Sequence, residues 1–487
     1  MNPSAPLLYG LPKIHKEDNP VRPVVSYVNA PCYKLAKEIN KILPEIIDFK
    51  SKYAIKNSFQ FIDRTKNLNV PTNATLVSFD VKSLFTSIPI KELTIILKNL
   101  IDNSTLERDK KIEITNALLV CIEQNYFQFK NEIYQQKDGL PMGSPISPLL
   151  SEIFMAHFEE SIFSSKNPLV KNVLFWTRYV DDVFCIWNST QRNLEKFLDF
   201  INSINKKIQF TMEKSLNNEI NFLDINIKKI NNHLEFDIYR KPTTTDTIIH
   251  YTSKQSWKIK LSPFHSFIHR LVTFPLNKEN FNKELCIIKQ IAKNNGYKES
   301  LIDSLLKKKQ NKLLRREFYS INPPKSNNFK FINYTSNFSN RVCSKLNKLG
   351  CKTISVNKQN LGNILVNNKD HIDRLEKSGV YKIECTDCEA VYIGQSGRNI
   401  KTRLKEHKMS ILNNVKNSGM STHCIENNHF INTNNIKLLH SQHKSKRLDL
   451  LEQLEIKKCI KNNPTMCTND QQNFHNTPII DRFLTTL

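Results

Sequence analysis

Tyr179-Val180-Asp181-Asp182 sets two carboxylates side by side between two apolar runs, FWTR and VFCIW. Such flanks predict a β-hairpin with the acids at its turn. Adjacent carboxylates on a tight turn repel each other and lose hydration, and a bound divalent cation relieves both effects. Another acid, Asp80, lies far upstream in the strand-like run TLVSFDV. Carboxylates from separate strands converging on a pair of Mg²⁺ (or Mn²⁺) ions are the apparatus of two-metal phosphoryl transfer. There one ion activates the attacking oxygen and the other stabilises the leaving one. The competing reading is a polar turn without chemistry, and these four residues alone do not separate the two.

A second set lies near the C-terminus. Gly379-Val380-Tyr381 and Tyr392-Ile393-Gly394 read as short strands. Arg403 and His407 follow, four residues apart and so on one face of a predicted helix. RLDLLEQLEIKK reads as an amphipathic helix with Leu448, Leu451 and Leu454 inward and Glu452 at the edge of that face. Glu455 is its rival one turn on. Tyrosines to hold water, an arginine for a phosphate, a histidine to move protons and a carboxylate for a metal suit phosphodiester hydrolysis. A small αβ domain with core tyrosines is the plain alternative. Between the tyrosine strands, Cys385 and Cys388 form a CxxC pair, and His423 and His429 lie downstream. Two thiolates and two imidazoles make a closed tetrahedral zinc site, with free thiols as the alternative and Cys424 as a decoy.

These residues need elements to position them. LVSFDV predicts a strand, KELTIILKNLI a helix, and NYFQFKNEIYQQ a hairpin around Lys130-Asn131. SPLLSEIFMAHFEESIF predicts a helix with Pro148 in its first turn, and INFLDINIKK a single further strand. Tyr33 to about Ile47 predicts a helix after Pro-rich extended pieces. Gly139 and Gly143 flank Pro141 and would permit close backbone approach to a flat ligand such as a base pair. The expected division is 1–235 as an alternating α and β unit, 236–320 as a basic helical region, 321–375 as a linker carrying some helix, and 376–487 as a small αβ domain.

Composition agrees. A chain of 487 residues with 39% apolar content fills two or three cores. Its 71 basic and 46 acidic residues leave +25, spread along the chain, which points to a polyanion, nucleic acid first. A solvated Lys- and Asn-rich surface is the alternative. Eleven irregularly spaced cysteines without a signal peptide argue for a reducing compartment. No stretch is apolar enough to span a bilayer, so no membrane partner is expected. The chain opens almost directly on LYGLPKIHK, which raises the expectation of a truncated N-terminus.

DVKSLFTSIP, GLPMGSPISPLLSEIF and RYVDD together resemble reverse transcriptases. With LYGLPKIHK, RPVVS, FLDINI and YRKPT they resemble more closely the enzymes of Penelope-like elements, and GVYKIE…AVYIGQ resembles GIY-YIG endonucleases, with Val380 for the usual Ile. The resemblance covers almost the whole chain. It implies an α+β multidomain chain: fingers, palm and thumb of a right-hand polymerase, then a small αβ nuclease. It implies Asp80, Asp181 and Asp182 as metal-binding acids and Phe85 as the residue that senses the nucleotide sugar. Lys13 and Arg22 would meet template or triphosphate, and Lys214 would protonate pyrophosphate. Arg240 and Lys241 would open the primer grip, although QSWKIK departs from the family's His-Pro pair there. In the nuclease it implies Tyr381 and Tyr392 lining the site, Arg403 on the scissile phosphate, His407 in proton transfer, and Glu452 holding one Mg²⁺ (or Mn²⁺). It further implies structural zinc on Cys385, Cys388, His423 and His429.

The implied partners are an RNA template, a DNA primer or target and deoxynucleoside triphosphates, in the nucleus. The implied function is copying of a retroelement's RNA from a nick made in target DNA. Two alternatives stand beside it. One is a decayed or domesticated nucleic-acid-binding protein, against which the intact acids argue and for which the abrupt start argues. The other is a polymerase whose nuclease serves only to dock on DNA.

Overall fold

A computed structural model describes residues 5–13, 19–318, 329–334, 337–356, 373–431, 436–462 and 465–469. The first part runs β1 (Leu7–Pro12), β2 (Val21–Ser26), α1 (Tyr33–Ile46), α2 (Ser58–Thr65), β3 (Thr75–Val81), α3 (Leu84–Ser87), α4 (Ile90–Asp102), α5 (Arg108–Glu123), β4 (Tyr126–Phe129) and β5 (Glu132–Gln135). It continues with α6 (Ser147–Phe163), β6 (Val173–Tyr179), β7 (Asp182–Trp187), α7 (Gln191–Ile204), β8 (Phe210–Lys214), β9 (Glu219–Phe222), β10 (Ile225–Ile230) and β11 (His233–Ile238).

The central sheet has the order β6-β7-β3-β8, every neighbouring pair antiparallel. Alternation along β3 decides what each face meets. Val77, Phe79 and Val81 join Phe154 and Phe158 of α6 and Leu194 and Phe197 of α7 in the main core. Leu76, on the other face, joins Phe61, Phe222 and Ile225 in a second core. Ser78 and Asp80 share that second face and are only half-buried, so it opens toward the end of β3. Burying each large side chain contributes about 1.5–3 kcal/mol, so both the helix layer and the β9–β11 sheet are firmly seated.

A second sheet has the order β2-β1-β4-β5. Its β4–β5 turn is the expected one at Lys130-Asn131, both with positive φ (50° and 65°), the combination a two-residue hairpin needs. The INFLDINIKK segment departs from expectation. It is two strands, β9 and β10, folded back so that Phe222 pairs with Ile225. Apolar residues fall at Ile220 and Phe222 and then at Ile225 and Ile227, so the alternation changes phase at Leu223-Asp224, where the chain turns. Leu223 adopts φ 58°, and Asp224 pins the corner by accepting from Ser58 and pairing with Arg270 at 3.1 Å.

Helices α8 (Trp257–Thr273), α9 (Lys278–Asn294) and α10 (Glu299–Phe318) follow, packed around Phe264, Ile268, Ile288, Ile291 and Ile302. The expected linker holds more than helix. Strand β12 (Lys330–Asn333), α11 (Asn337–Lys348) and β13 (Thr353–Val356) form a parallel βαβ unit. The NPPKSNN stretch lies outside the described residues. The last unit comprises β14 (Gly379–Glu384), β15 (Val391–Ser396), α12 (Ile400–Leu412), α13 (Gly419–Asn427), β16 (Lys437–Ser441) and α14 (Lys446–Asn462). Its sheet has the order β15-β14-β16, with α12 and α13 over one core and α14 over another. Among the described residues no helix is long and apolar enough to cross a membrane.

Candidate active sites

The β6–β7 turn consists of Val180 and Asp181 alone, because Tyr179 pairs with Asp182. Asp182 in turn faces Asp80, and Asp80 faces Thr211. Tyr179, Asp182, Asp80 and Thr211 therefore form one row across the sheet, with side chains on one face. Directly paired Cα atoms lie about 4.5–5.5 Å apart, so the Asp80 and Asp182 side chains are immediate neighbours. Like charges placed so are destabilising, and a cation between them is the physical remedy. Among the described residues the three aspartates do not form a closed ligand cluster. Asp80 and Asp182, with Asp181 on the adjoining turn, are the residues that could hold Mg²⁺, an ion bound by one or two carboxylates together with water and substrate phosphates.

Two backbone contacts fix the turn. The Val81 N–H donates to the Asp181 carbonyl at 3.0 Å, tying the tip to β3. Arg178 Nη1 donates to the Val180 carbonyl at 3.1 Å. Val180 has φ 56°, a region that costs a β-branched residue roughly 1–2 kcal/mol. Arg178 is fully buried, and its Nε and Nη2 bond Glu159 at 2.9 and 3.1 Å. Nη1 and Nη2 bond Glu152 at 3.1 and 3.0 Å, and Trp176 Nε1 donates to Glu159 at 3.0 Å. Sequence reasoning missed this network. Its signal was present: Glu152 and Glu159 stand seven apart on a largely apolar helix, hence on one face.

The other implied polymerase residues scatter. Phe85 is half-buried against the main core, and its carbonyl accepts from Leu140 N–H at 2.6 Å. Gly143 has φ 130°, and a Cβ there would lie 2.0 Å from the Val25 carbonyl oxygen. A Cβ on Gly139 would lie 2.4 Å from the Thr86 carbonyl oxygen. The close approach expected for a base pair is thus one these glycines already make to the protein's own backbone. Lys13 follows β1, and exposed Arg22 lies on β2 opposite Leu11. Lys214 departs from its implied place. It pairs with Val77, which puts it on the helix-covered face, opposite to Asp80. Arg240 also departs: its guanidinium is bound to buried Glu284 of α9 at 2.5 Å and lies 5.0 Å over the Phe267 ring. It joins the helices to the sheet, whereas Lys241 is exposed.

In the last unit, Tyr381 pairs with Gly394 and Ile383 with Tyr392, so both tyrosines point to the α12 face. Tyr381 is fully buried, and its hydroxyl shares a hydrogen bond of 2.9 Å with His407 Nε2. His407 Nδ1 lies 3.2 Å from Ser418 Oγ. The Tyr392 ring is centred 5.4 Å from that imidazole. Burial, with Arg403 nearby, pushes His407 down to about 4, so it is neutral at physiological pH. Burial raises both tyrosines, and the Glu452 charge adds to each. Arg403 binds Glu406 at 2.8 Å and acts electrostatically on Tyr381 and His407. Glu452 is pushed up to about 7 by burial, with Gln395 bonding opposing. Its rival Glu455 is occupied by His440 at 2.9 Å and Lys458 at 2.8 Å. Of the two, Glu452 is the carboxylate that acts on the tyrosines.

Cys385, Cys388, His423 and His429 have ligand atoms all within 4.8 Å of one another. The separations are 3.6 Å for Cys385 Sγ to His429 Nδ1, 3.3 Å for Cys388 Sγ to His423 Nε2, and 3.2 Å between the two imidazole nitrogens. Tetrahedral zinc with the usual bond lengths requires about 3.5 Å for sulfur to nitrogen and about 3.3 Å for nitrogen to nitrogen. The quartet fits that ion and joins the β14–β15 turn to α13. Cys424 is instead buried in the core with its Sγ on Met420 Sδ.

Residues 14–233 match the family model for reverse transcriptase (RNA-dependent DNA polymerase), 247–307 that for an animal helix-turn-helix domain, and 377–462 that for the GIY-YIG catalytic domain. The telomerase reverse transcriptase of Euplotes aediculatus is 28% identical over 112 residues, 22% of this chain and 11% of that protein. Among solved structures, telomerase from Candida albicans with a TWJ fragment of telomeric RNA aligns with a TM-score of 0.46 at 12% identity, over 63% of this chain and 55% of that one. The BmCPV RNA-dependent RNA polymerase at its elongation state aligns at 0.37 and 13%, over 59% and 26%. This chain thus spans a small part of the curated relative and about half of that telomerase chain. It is an α+β chain in which a segment matching the reverse transcriptase family model is followed by a C-terminal segment matching the GIY-YIG catalytic domain.

Proposed function

We propose that this chain copies RNA into DNA from a DNA primer and nicks the DNA that supplies that primer, as the protein of a Penelope-like retroelement. The observation that carries the first half is Asp80 paired opposite Asp182 beside the two-residue turn. Divalent cations bound there would activate the primer 3′-hydroxyl and stabilise the departing pyrophosphate. The protein's own part is positional. The sheet row holds two carboxylates, and the turn carries Asp181 beside them. Phe85 at the lip of the main core would meet the nucleotide sugar, and exposed Arg22 and Lys241 would meet phosphates. Helices α8–α10, matched in part by a helix-turn-helix model, would grip the primer–template duplex.

For nicking, Tyr392 and neutral His407 would orient a water, with buried Tyr381 holding the imidazole. Arg403 would bind the scissile phosphate, Glu452 a divalent cation, and the Cys385, Cys388, His423 and His429 quartet structural zinc. A chromosomal substrate would place the protein in the nucleus. The test is primer extension by the full chain on an RNA template with Mg²⁺ and deoxynucleotides. Extension by wild type that vanishes in Asp181→Asn supports the reading. Equal behaviour of the two supports a protein that only binds nucleic acid.

A further inference from the structure

The fully buried Arg178 has no place in the chemistry above, yet all five of its N–H donors are used. Nε and one Nη2 donor go to Glu159, one donor from each Nη goes to Glu152, and the last goes to the Val180 carbonyl. Four bonds therefore fasten the guanidinium to α6, and one reaches the catalytic turn. Buried ion networks seldom outperform apolar packing in stability, so their retention calls for a geometric reason. The reason here is Val180, a β-branched residue held at φ 56°. Its carbonyl orientation sets where the next residue leaves the turn. The Val81 N–H fixes Asp181 from the other side.

We propose that Arg178 is a positioning residue of the polymerase centre: anchored on Glu152 and Glu159, it holds the Val180 carbonyl and thereby sets Asp181 and Asp182 against Asp80. The inference rests on the polymerase reading of that centre. Lysine retains the charge at this position but has no planar fork, so it cannot hold both glutamates and the carbonyl together.

The experiment uses the full chain. Mn²⁺ binding is measured by electron paramagnetic resonance without nucleic acid, with Asp181→Asn defining the background, and primer extension is followed across a Mg²⁺ series. Loss of outer-shell support typically weakens metal binding or activity by about 10–100-fold. Arg178→Lys is expected to weaken Asp181-dependent Mn²⁺ binding by about tenfold and to move the Mg²⁺ requirement for extension upward, with the nucleotide KM within about twofold. Glu152→Gln, which keeps an acceptor and loses the charge, is expected to shift both in the same direction by less. Unchanged Mn²⁺ binding and an unchanged Mg²⁺ profile in Arg178→Lys would overturn the proposal. So would changes that track only the unfolded fraction seen in a thermal melt, or a wild type without Asp181-dependent Mn²⁺ binding. If Arg178→Lys does not fold, Glu152→Gln decides by the same readings. A wild type that binds Mn²⁺ but extends no primer defeats the polymerase reading, while the Mn²⁺ comparison still decides the role of Arg178.

Discussion

Burial does opposite things to two residues of the nuclease domain. It holds His407 neutral, down to about 4, while raising Glu452 to about 7. The histidine makes a stability prediction with a definite sign. Its folded value lies below the ordinary 6.5, so between these values the unfolded chain binds more protons. The His407 contribution is therefore complete above about pH 6.5 and falls as pH drops toward 4, by about 3 kcal/mol in all, while Glu452, raised above its ordinary 4.5, contributes in the opposite sense between about 4.5 and 7. The two oppose each other in wild type, so Glu452→Gln, which removes the opposing carboxyl, should show a melting temperature of the C-terminal unit that falls from pH 6.5 toward 4, and adding His407→Gln should flatten that dependence. A Glu452→Gln melt independent of pH between 7 and 4 would contradict the neutral, buried assignment. Glu455 shows the limit of sequence at this scale. It and Glu452 are one helical turn apart and equal in type, and only the partners His440 and Lys458 remove it from contention.

Elements are held to one another by a few buried polar contacts. Arg240 on the strand side and Glu284 on α9 seat the helices α8–α10, with Phe267 beneath the guanidinium. Removing buried Glu284 leaves Arg240, whose side chain is 23% exposed and partly hydrated, without its partner and should cost about 1–3 kcal/mol. Glu284→Ala should accordingly lower the denaturant midpoint of the helical region and weaken primer–template binding. An unchanged midpoint would mean that the contact carries no docking energy. The cysteine–histidine quartet plays the same part between the β14–β15 turn and α13. Cys388→Ser or a strong chelator should lower the nuclease melting temperature and release about one zinc per chain, with primer extension retained. A metal-free protein with the same melt would leave Cys385 and Cys388 as ordinary thiols. The β9–β10 fold-back belongs to this scale too: the phase change at Leu223-Asp224 marks a break in the alternation, and strand pairing is what identifies it as a turn.

For the whole molecule, the two candidate centres lie in separate sheets with separate cores. Their activities should come apart. Asp181→Asn should abolish extension and spare plasmid nicking, whereas Arg403→Ala should abolish nicking by at least about 100-fold and spare extension. Joint loss in either variant would mean one coupled machine. Net charge +25 predicts a strong salt dependence of nucleic-acid affinity, with a log–log slope that counts phosphate contacts.

Sequence alone determined the kinds of chemistry on offer and most of the elements that carry them. The acids of YVDD, the paired tyrosine strands and the CxxC turn are local patterns. Local patterns report backbone conformation and residue type directly. Only the tertiary structure decided which residues meet. Strand register brought Asp80 opposite Asp182 and sent Lys214 to the other face. Helix packing gave Arg240 to Glu284 and buried Arg178 between two glutamates. Register and packing are set by contacts between distant stretches of chain, and a charged residue reads the same in sequence whether it meets a substrate or braces the fold.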